Sequence, residues 1–210
     1  MPADANALAP EVWPAGSGRD RDGVLTLSGI PATTLRAQFG TPLYVLDEDE
    51  VRARAREVRE AFAAAAARHG AQARVYYAGK AFLSTEVVRW VTAEGLAVDV
   101  ATGGELAVAL AAGADPARIG LHGNNKSVAE LERAVTVGVG SVIVDSPLEI
   151  ERLAAVAERH GVVQSVLVRV NSGVHAETHD FLATAHEDQK FGFALEAAPA
   201  AVARTEFFSA

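Results

Sequence analysis

A repeating alternation of short apolar runs and longer amphipathic segments dominates the sequence from residue 75 onward. Each run is followed by a turn and by a segment of helical periodicity, a pattern typical of buried parallel strands joined by helices. At intervals of roughly 23 residues, the runs begin near Val75, Leu96, Ile119, Val142 and Val166. The alternation therefore predicts an α/β fold with a parallel sheet.

Two architectures are compatible with this alternation, an open doubly wound sheet and a (β/α)8 barrel of the TIM type. The even strand spacing and the absence of a Gly-x-Gly-x-x-Gly turn after any run favour the barrel. The chain contains only about five such strands, fewer than a closed barrel needs. We therefore expect an incomplete barrel and interpret the chain as a fragment.

The amphipathic segments predict four helices, each ended by a glycine that can adopt a left-handed conformation. These helices cover residues 84–94, 103–113, 127–138 and 147–160, and the glycines are Gly95, Gly113, Gly138 and Gly161.

The N-terminal part is less regular. Strands are predicted over residues 24–27 and 41–46, and Asp47 is the predicted N-cap of a long helix over residues 48–69. We interpret residues 1–40 as a segment that joins a separate β-domain and residues 41–210 as the partial barrel.

The composition excludes several classes of function. The formal net charge of −8 disfavours nucleic acid and anionic membranes as partners. There is no cysteine, so disulfides and thiolate metal sites are excluded. No apolar run has the length of a membrane span or of a signal peptide core, and we therefore expect a cytoplasmic protein.

Lysine is rare in this chain. Of nineteen basic side chains only Lys80, Lys126 and Lys190 are lysines. A lysine can lose its proton and act as an amine nucleophile, which an arginine cannot do. Lys80 ends the first apolar run, where catalytic residues of barrels lie. We predict that Lys80 forms a Schiff base, the alternative being a solvated lysine at a strand end.

Polar residues follow the other predicted strands at the same edge, and we expect them to converge there. The alternative for several of them is loop capping, and Gly103-Gly104 forms either a tight turn or an anion site. The candidates are Asp99, Glu105, His122, Asn124, Asn125, Lys126, Asp145, Ser146, Arg169 and Asn171.

Arg169 stands inside the apolar run of residues 166–170, which predicts a buried guanidinium with an acidic or phenolic partner. Asp99 is the predicted partner.

The long segment of residues 172–190 carries His175, His179 and His186. These histidines lack carboxylate or cysteine companions at a recognisable spacing, so we predict no metal site. A loop of this length is more often a lid or a binding loop.

Five short motifs stand out at the predicted strand ends and after the long segment. They cover residues 76–80, 99–105, 122–127, 169–171 and 190–193. In their order and spacing they resemble the diaminopimelate decarboxylase family, which belongs to the alanine racemase-like group of pyridoxal phosphate enzymes. The resemblance runs from about residue 40 to residue 193, and it is specific in combination although each motif alone is not.

This resemblance implies that Lys80 holds pyridoxal phosphate covalently and is the catalytic residue. It also implies decarboxylation of meso-diaminopimelate to lysine, in lysine biosynthesis. The partners it implies are a small-molecule amino-acid substrate and, for the full-length protein, a second copy in a homodimer. The cofactor site implied by the resemblance is lined by Lys80, Ala78, Asp99, Glu105, His122 and Arg169.

The sequence also departs from the family pattern. The family's ring-stacking histidine, phosphate loop, pyridine-binding glutamate and C-terminal β-domain would lie beyond Ala210, and residues 183–186 differ from the usual Ser-Thr-Gly-Gln. We therefore expect an N-terminal part that is inactive alone. A non-catalytic pyridoxal phosphate carrier, a related basic amino-acid decarboxylase and a Schiff-base aldolase stay as alternatives.

Overall fold

The computed structural model describes residues 7–171 and 191–207. The chain divides into two units, Met1–Ala73 and Arg74–Ala210, while the predicted division at residue 40 stays a prediction. The predicted loop of residues 172–190, with its three histidines, lies outside the described residues. Within the described ranges, no helix is both long enough and apolar enough to cross a membrane.

The first unit contains a small antiparallel sheet, paired in the order β1-β2-β3, and two helices. Its elements are β1 (Ser17–Arg19), β2 (Leu25–Leu27), β3 (Ile30–Pro31), α1 (Ala32–Phe39) and α2 (Glu48–Ala67). The predicted strand over residues 24–27 is confirmed as β2. Asp47 is confirmed as the N-cap of α2, because its carboxylate accepts the Glu50 N–H at 3.2 Å.

The predicted strand over residues 41–46 is wrong. In the described part of the chain these residues pair with no strand, and the side chain of Tyr44 is 99% exposed. An apolar run becomes a strand only where another strand supplies hydrogen-bond partners for its backbone. This run lacks such a neighbour.

The second unit is built on five parallel strands that pair in sequential order, β4-β5-β6-β7-β8. A doubly wound sheet reverses its direction of growth beside its first strand, whereas sequential order is that of a barrel. Within residues 7–171 and 191–207 this sheet does not close, so the predicted incomplete barrel is confirmed. Its strands are β4 (Tyr76–Ala78), β5 (Ala97–Val100), β6 (Ile119–Leu121), β7 (Ser141–Val144) and β8 (Val166–Val168).

Helices connect these strands at the predicted positions. They are α3 (Thr85–Ala93), α4 (Gly103–Ala111), α5 (Val128–Val137) and α6 (Pro147–His160). The predicted glycines follow all four, with φ angles from 62° to 86°. A serine or threonine begins each helix and accepts the backbone N–H three residues later, as Ser84, Thr102, Ser127 and Ser146 do.

The core lies at the centre of the sheet, where β5, β6 and β7 meet the buried faces of the helices. Burying one large aliphatic side chain contributes about 1.5–3 kcal/mol. Side chains with an exposed fraction near zero include Val98, Leu106, Ile119, Leu121, Leu131, Val142, Val144 and Val156. The edge strand β8 is less buried, since the side chain of Leu167 is 59% exposed.

After β8 the chain forms a separate pair of short parallel strands and a last helix. These are β9 (Val170–Asn171), β10 (Phe193–Ala194) and α7 (Ala198–Phe207). Val170 pairs with Phe193, so the residues on either side of segment 172–190 lie side by side.

Glu130 connects the starts of two neighbouring helices. Its Oε1 accepts the Gly103 N–H of α4 at 2.8 Å, and its Oε2 accepts the Ser127 N–H at 2.8 Å in the capping box of α5. The hydrogen bonds from Ser127, and then the one from Gly103, hold the pKa of the Glu130 carboxyl below its usual range. This carboxylate therefore stabilises the fold in its ionised form.

We predict that Glu130→Gln lowers the free energy of unfolding at neutral pH by about 1 kcal/mol, because an amide oxygen replaces only one of the two acceptors. The folded-state pKa of Glu130 is lowered, so its contribution is present above the ordinary glutamate pKa of 4.5 and is lost as the pH falls through the folded value. The urea midpoints of the two proteins should therefore converge once the pH is below the folded-state pKa of Glu130.

The matched control is Glu158→Gln, on the exposed surface of α6. It should leave the urea midpoint nearly unchanged at each pH. An acid-independent difference between Glu130→Gln and the parent chain would show that the ionised carboxylate is not the stabilising group.

Candidate functional site

A pocket of about 250 Å³ lies at the carboxyl ends of β4, β5 and β6. In a parallel sheet these ends share one edge, so side chains from separate turns meet there. Ala78, Lys80, Asp99, His122 and Arg169 line the pocket together with Gly79, Val100, Ala101, Gly123 and Asn124. The structure thus brings together five of the six predicted site residues.

A larger cavity of about 370 Å³ lies between α6, β8 and α7. Its described lining is mostly aliphatic and includes no ionisable side chain, with Gln164, Ser165 and Thr205 as its polar members. Acid–base or nucleophilic chemistry requires ionisable groups. We therefore place the candidate site at the smaller pocket.

Lys80 follows β4 in a single 3-10 turn, Gly79–Ala81, and its side chain is exposed. The Tyr77 hydroxyl donates to the Phe82 carbonyl at 2.7 Å and so closes this turn. Burial raises the pKa of Tyr77, which keeps the hydroxyl protonated as a donor at neutral pH. Among residues 7–171 and 191–207, no carboxylate pairs with the Lys80 amine. The turn therefore presents an amine that is accessible to a ligand.

Asp99 and His122 meet at the ends of neighbouring strands. Asp99 Oδ2 lies 3.3 Å from His122 Nε2. Asp99 stands opposite Gly120 in the β5–β6 ladder, and a Cβ atom at Gly120 would lie only 2.6 Å from Asp99 Oδ1. Gly120 thus leaves the space that the Asp99 carboxylate occupies, a role that the sequence analysis missed.

Glu105 does not line the pocket but holds one of its walls. Its Oε2 accepts the Ala101 N–H at 2.5 Å, and Ala101 lines the pocket. At the same helix start the Gly103 N–H is bonded to Glu130. Gly103 and Gly104 are the first two residues of α4 rather than a separate tight turn. Because a carboxylate of the chain itself accepts the Gly103 N–H, that N–H is not an open anion site.

Arg169 differs from the prediction in its surroundings. It lies between β8 and β9 with its side chain 34% exposed, not buried within a strand. Its Nη1 is 3.5 Å from Asp145 Oδ1, and its guanidinium stands 5.0 Å from the Phe191 ring centroid. The predicted partner Asp99 is wrong, because β6 and β7 separate β5 from β8 whereas Asp145 follows the adjacent strand β7.

Two other residues expected at the mouth are buried and do not line the pocket. Lys126 and Asp145 are only 2% and 6% exposed. Ser146 caps α6, as the capping alternative anticipated, and Glu149 at the third position of that helix is 4% exposed. The sequence analysis missed Glu149, although Ser146-x-x-Glu149 is a recognisable capping pattern.

No group of three His, Asp or Glu side chains in the described ranges could hold a metal ion. The three histidines of segment 172–190 lie outside those ranges, so the metal prediction for them is untested.

Comparison with known proteins identifies relatives of this chain. Residues 48–207 match the family described as pyridoxal-dependent decarboxylase, pyridoxal binding domain. A diaminopimelate decarboxylase of Mycobacterium tuberculosis is 57% identical over 199 residues, which cover 94% of this chain and 43% of that protein. One of Bacillus subtilis is 42% identical over 179 residues, covering 85% of this chain and 40% of that protein.

Solved structures show the same similarity. A diaminopimelate decarboxylase from M. jannaschi superposes with a TM-score of 0.81 at 28% identity, covering 92% of this chain and 45% of that one. The Helicobacter pylori enzyme complexed with L-lysine gives 0.71 at 26% identity, covering 79% and 41%. The chain thus spans less than half of the length of the relatives it matches.

We predict that alanine costs less at Gly120 than at Gly79, two glycines beside Asp99. Gly120→Ala displaces only the short Asp99 side chain. The free energy of unfolding should therefore change by less than about 1.5 kcal/mol, while the Asp99 carboxylate moves away from His122. Gly79→Ala would place Cβ 2.7 Å from the Asp99 backbone oxygen, which cannot rotate away, and should cost about 1–3 kcal/mol. Urea unfolding and NMR of the His122 ring measure the two effects.

Gly104→Ala is the matched control, because its nearest neighbour would be Thr102 Oγ1 at 3.7 Å. It should change neither the His122 signals nor, beyond a small gain in helix propensity, the stability. Unaltered His122 ring signals in Gly120→Ala would refute the role given to Gly120.

Proposed function

The chain belongs to the pyridoxal-dependent decarboxylase family through its pyridoxal binding domain, and from this premise we propose that it supplies the lysine pocket of a diaminopimelate decarboxylase. The reaction would convert meso-diaminopimelate into lysine and carbon dioxide. One observation carries the proposal: Lys80, Asp99, His122 and Arg169 meet in one pocket at the carboxyl edge of the sheet.

The family membership implies pyridoxal phosphate as the cofactor. The residues present suit that group. Lys80 offers an accessible amine. Gly79 and Gly123, which also line the pocket, allow close packing of its backbone, because a Cβ atom would meet the backbone oxygens of Asp99 and Ala101 at 2.7 and 2.9 Å. Arg169 adds a positive charge that suits an anionic ligand. When bound, pyridoxal phosphate supplies the electron sink for the carbon that loses its carboxylate.

We assign attachment of the cofactor to Lys80 Nζ. Asp99 would orient His122, because a carboxylate beside Nε2 favours the proton on that nitrogen and fixes the plane of the ring. The distance of 3.3 Å between Asp99 Oδ2 and His122 Nε2 supports this role. His122 then presents a ring of constant orientation to the pocket.

The remaining predicted site residues would act through position and charge. Ala78 ends β4 directly before the lysine turn and lines the pocket. Glu105 keeps the wall at Ala101 in place through its hydrogen bond to that N–H. Arg169 would present a fixed charge to the cofactor or to a substrate carboxylate.

The chain by itself should bind pyridoxal phosphate weakly. Phosphate sites of (β/α)8 barrels usually form in the loops that follow the last two strands, and the described sheet has five strands. We therefore propose that turnover requires the rest of the barrel. The homodimer and the cytoplasmic location stay predictions that rest on the resemblance and the composition.

We predict that the 210-residue chain, incubated with pyridoxal phosphate and reduced with borohydride, gains the cofactor at Lys80. Reduction converts a lysine-bound cofactor into a stable secondary amine, which peptide mass mapping locates. Lys126 is an internal reference, because a lysine that is 2% exposed should not react. Lys80→Arg retains the charge and should remove the adduct.

Lys190→Arg is the matched control and should leave the Lys80 adduct unchanged. Equal labelling of Lys80 and Lys190, or an adduct that persists in Lys80→Arg, would contradict the assignment of the cofactor site.

We predict decarboxylation in a chimera that joins residues 1–193 of this chain to the remainder of the Mycobacterium tuberculosis relative. Release of carbon dioxide from meso-diaminopimelate should occur, and Lys80→Ala should lower kcat/KM about a thousandfold or more. Ornithine, arginine and lysine are offered in parallel. Preference for one of these would favour the alternative of a related basic amino-acid decarboxylase.

A chimera that carries the Lys80 adduct but releases no carbon dioxide from any substrate would support the non-catalytic carrier. Turnover without added pyridoxal phosphate, in protein freed of it, would favour the Schiff-base aldolase class. The parent relative, assayed alongside, shows that the fused half is competent.

A further inference from the structure

Lys126 is a buried cation with three acceptors. Its Nζ donates to the Gly123 carbonyl at 2.6 Å and to the Ile143 carbonyl at 2.7 Å, and it pairs with Glu149 Oε1 at 2.9 Å. Each of the three N–H groups of an ammonium therefore has one partner. Gly123 belongs to the pocket wall, whereas Ile143 lies in β7.

Glu149 continues this chain of contacts. Its second oxygen, Oε2, accepts the Asp145 N–H at 2.8 Å. Asp145 Oδ2 in turn accepts the Gly192 N–H at 3.0 Å, and Asp145 Oδ1 faces Arg169 at 3.5 Å. The buried network Lys126–Glu149–Asp145 thus connects two parts of the pocket wall, the loop of residues 122–125 and Arg169.

Stability alone does not account for this network. A buried ion pair recovers little more than the cost of removing two charges from water, and apolar residues of the same volume are often equally stabilising. The geometry at position 126 also favours lysine over arginine. A compact ammonium can direct three N–H groups to three separate oxygens, whereas the planar guanidinium of arginine suits bidentate partners.

We propose that the Lys126–Glu149–Asp145 network is a positioning device for the pocket. It holds the loop of residues 122–125 and Arg169 at a fixed separation, so that His122 and Arg169 face one ligand together. The proposal rests on the proposed function only for the identity of that ligand. Lys126 acts through the Gly123 carbonyl and is a positioning residue rather than a catalytic one.

The test compares the 210-residue chain with the double variant Lys126→Met/Glu149→Leu. Lys126→Met alone leaves Glu149 buried without a cation and should lower the urea midpoint strongly, whereas the double variant should return it close to that of the parent. The positioning role then predicts a loop that is loose in a stable protein. ¹⁵N order parameters of Gly123, Asn124 and Asn125 should fall from about 0.85 to below about 0.6.

The second readout is the pyridoxal phosphate concentration that half-saturates borohydride trapping at Lys80. It should rise about tenfold in the double variant, as expected when a rigid site must first be ordered. An ordered loop together with unchanged half-saturation, at restored stability, would overturn the proposal. Absence of trapping in the parent chain would instead defeat the proposed function, while the order parameters still decide the positioning role.

Two further variants keep the test decisive. Lys126→Arg retains the charge next to Glu149, and it serves if the double variant does not fold; it should also loosen the loop, because the guanidinium cannot reach all three oxygens. A rigid loop in this variant would count against the proposal. Arg159→Met removes an exposed ion pair to Glu132, between α6, which contains Glu149, and α5, which begins just after Lys126. As the matched control it should leave the loop ordered.

Discussion

Parallel pairing of the strands in sequential order is the constraint on which the site depends. Each strand ends at the same edge of the sheet, so every turn that follows contributes to one surface. Sheet order then decides which charges can meet. Asp99 lies near the end of β5 and His122 follows the adjacent strand β6, whereas Asp145 and Arg169 follow the adjacent strands β7 and β8. The charge pattern of the pocket is thus a consequence of strand adjacency.

Much of the second unit could be predicted from the sequence because its signals are local. A run of Val and Ile between turn residues identifies a buried strand, a serine or threonine cap marks a helix start, and a glycine marks its end. The same local rules place Lys80 and Asp99 at strand ends, which is why both line the pocket. The chemical roles of Lys80 and Asp99 do not follow from these local rules. The geometry of the pocket supports those roles, and they stay proposals.

Other features depend on neighbours that the sequence does not reveal. Residues 41–46 have the composition of a strand but no partner to pair with in the described chain. The partner of Arg169 follows from the order of the strands, and the space for the Asp99 carboxylate from a glycine on the next strand. Periodicity within one segment carries no information about any of these contacts.

The two described lysines illustrate how far composition can be taken. The scarcity of lysine beside arginine, three among nineteen basic residues, indicates positions where arginine cannot substitute. It does not indicate which property of lysine is needed. Lys80 is exposed and without a carboxylate partner in the described residues, which suits an amine nucleophile, whereas Lys126 is buried with three oxygen partners, which suits a compact fixed cation. One compositional signal therefore corresponds to two physical requirements, and burial distinguishes them.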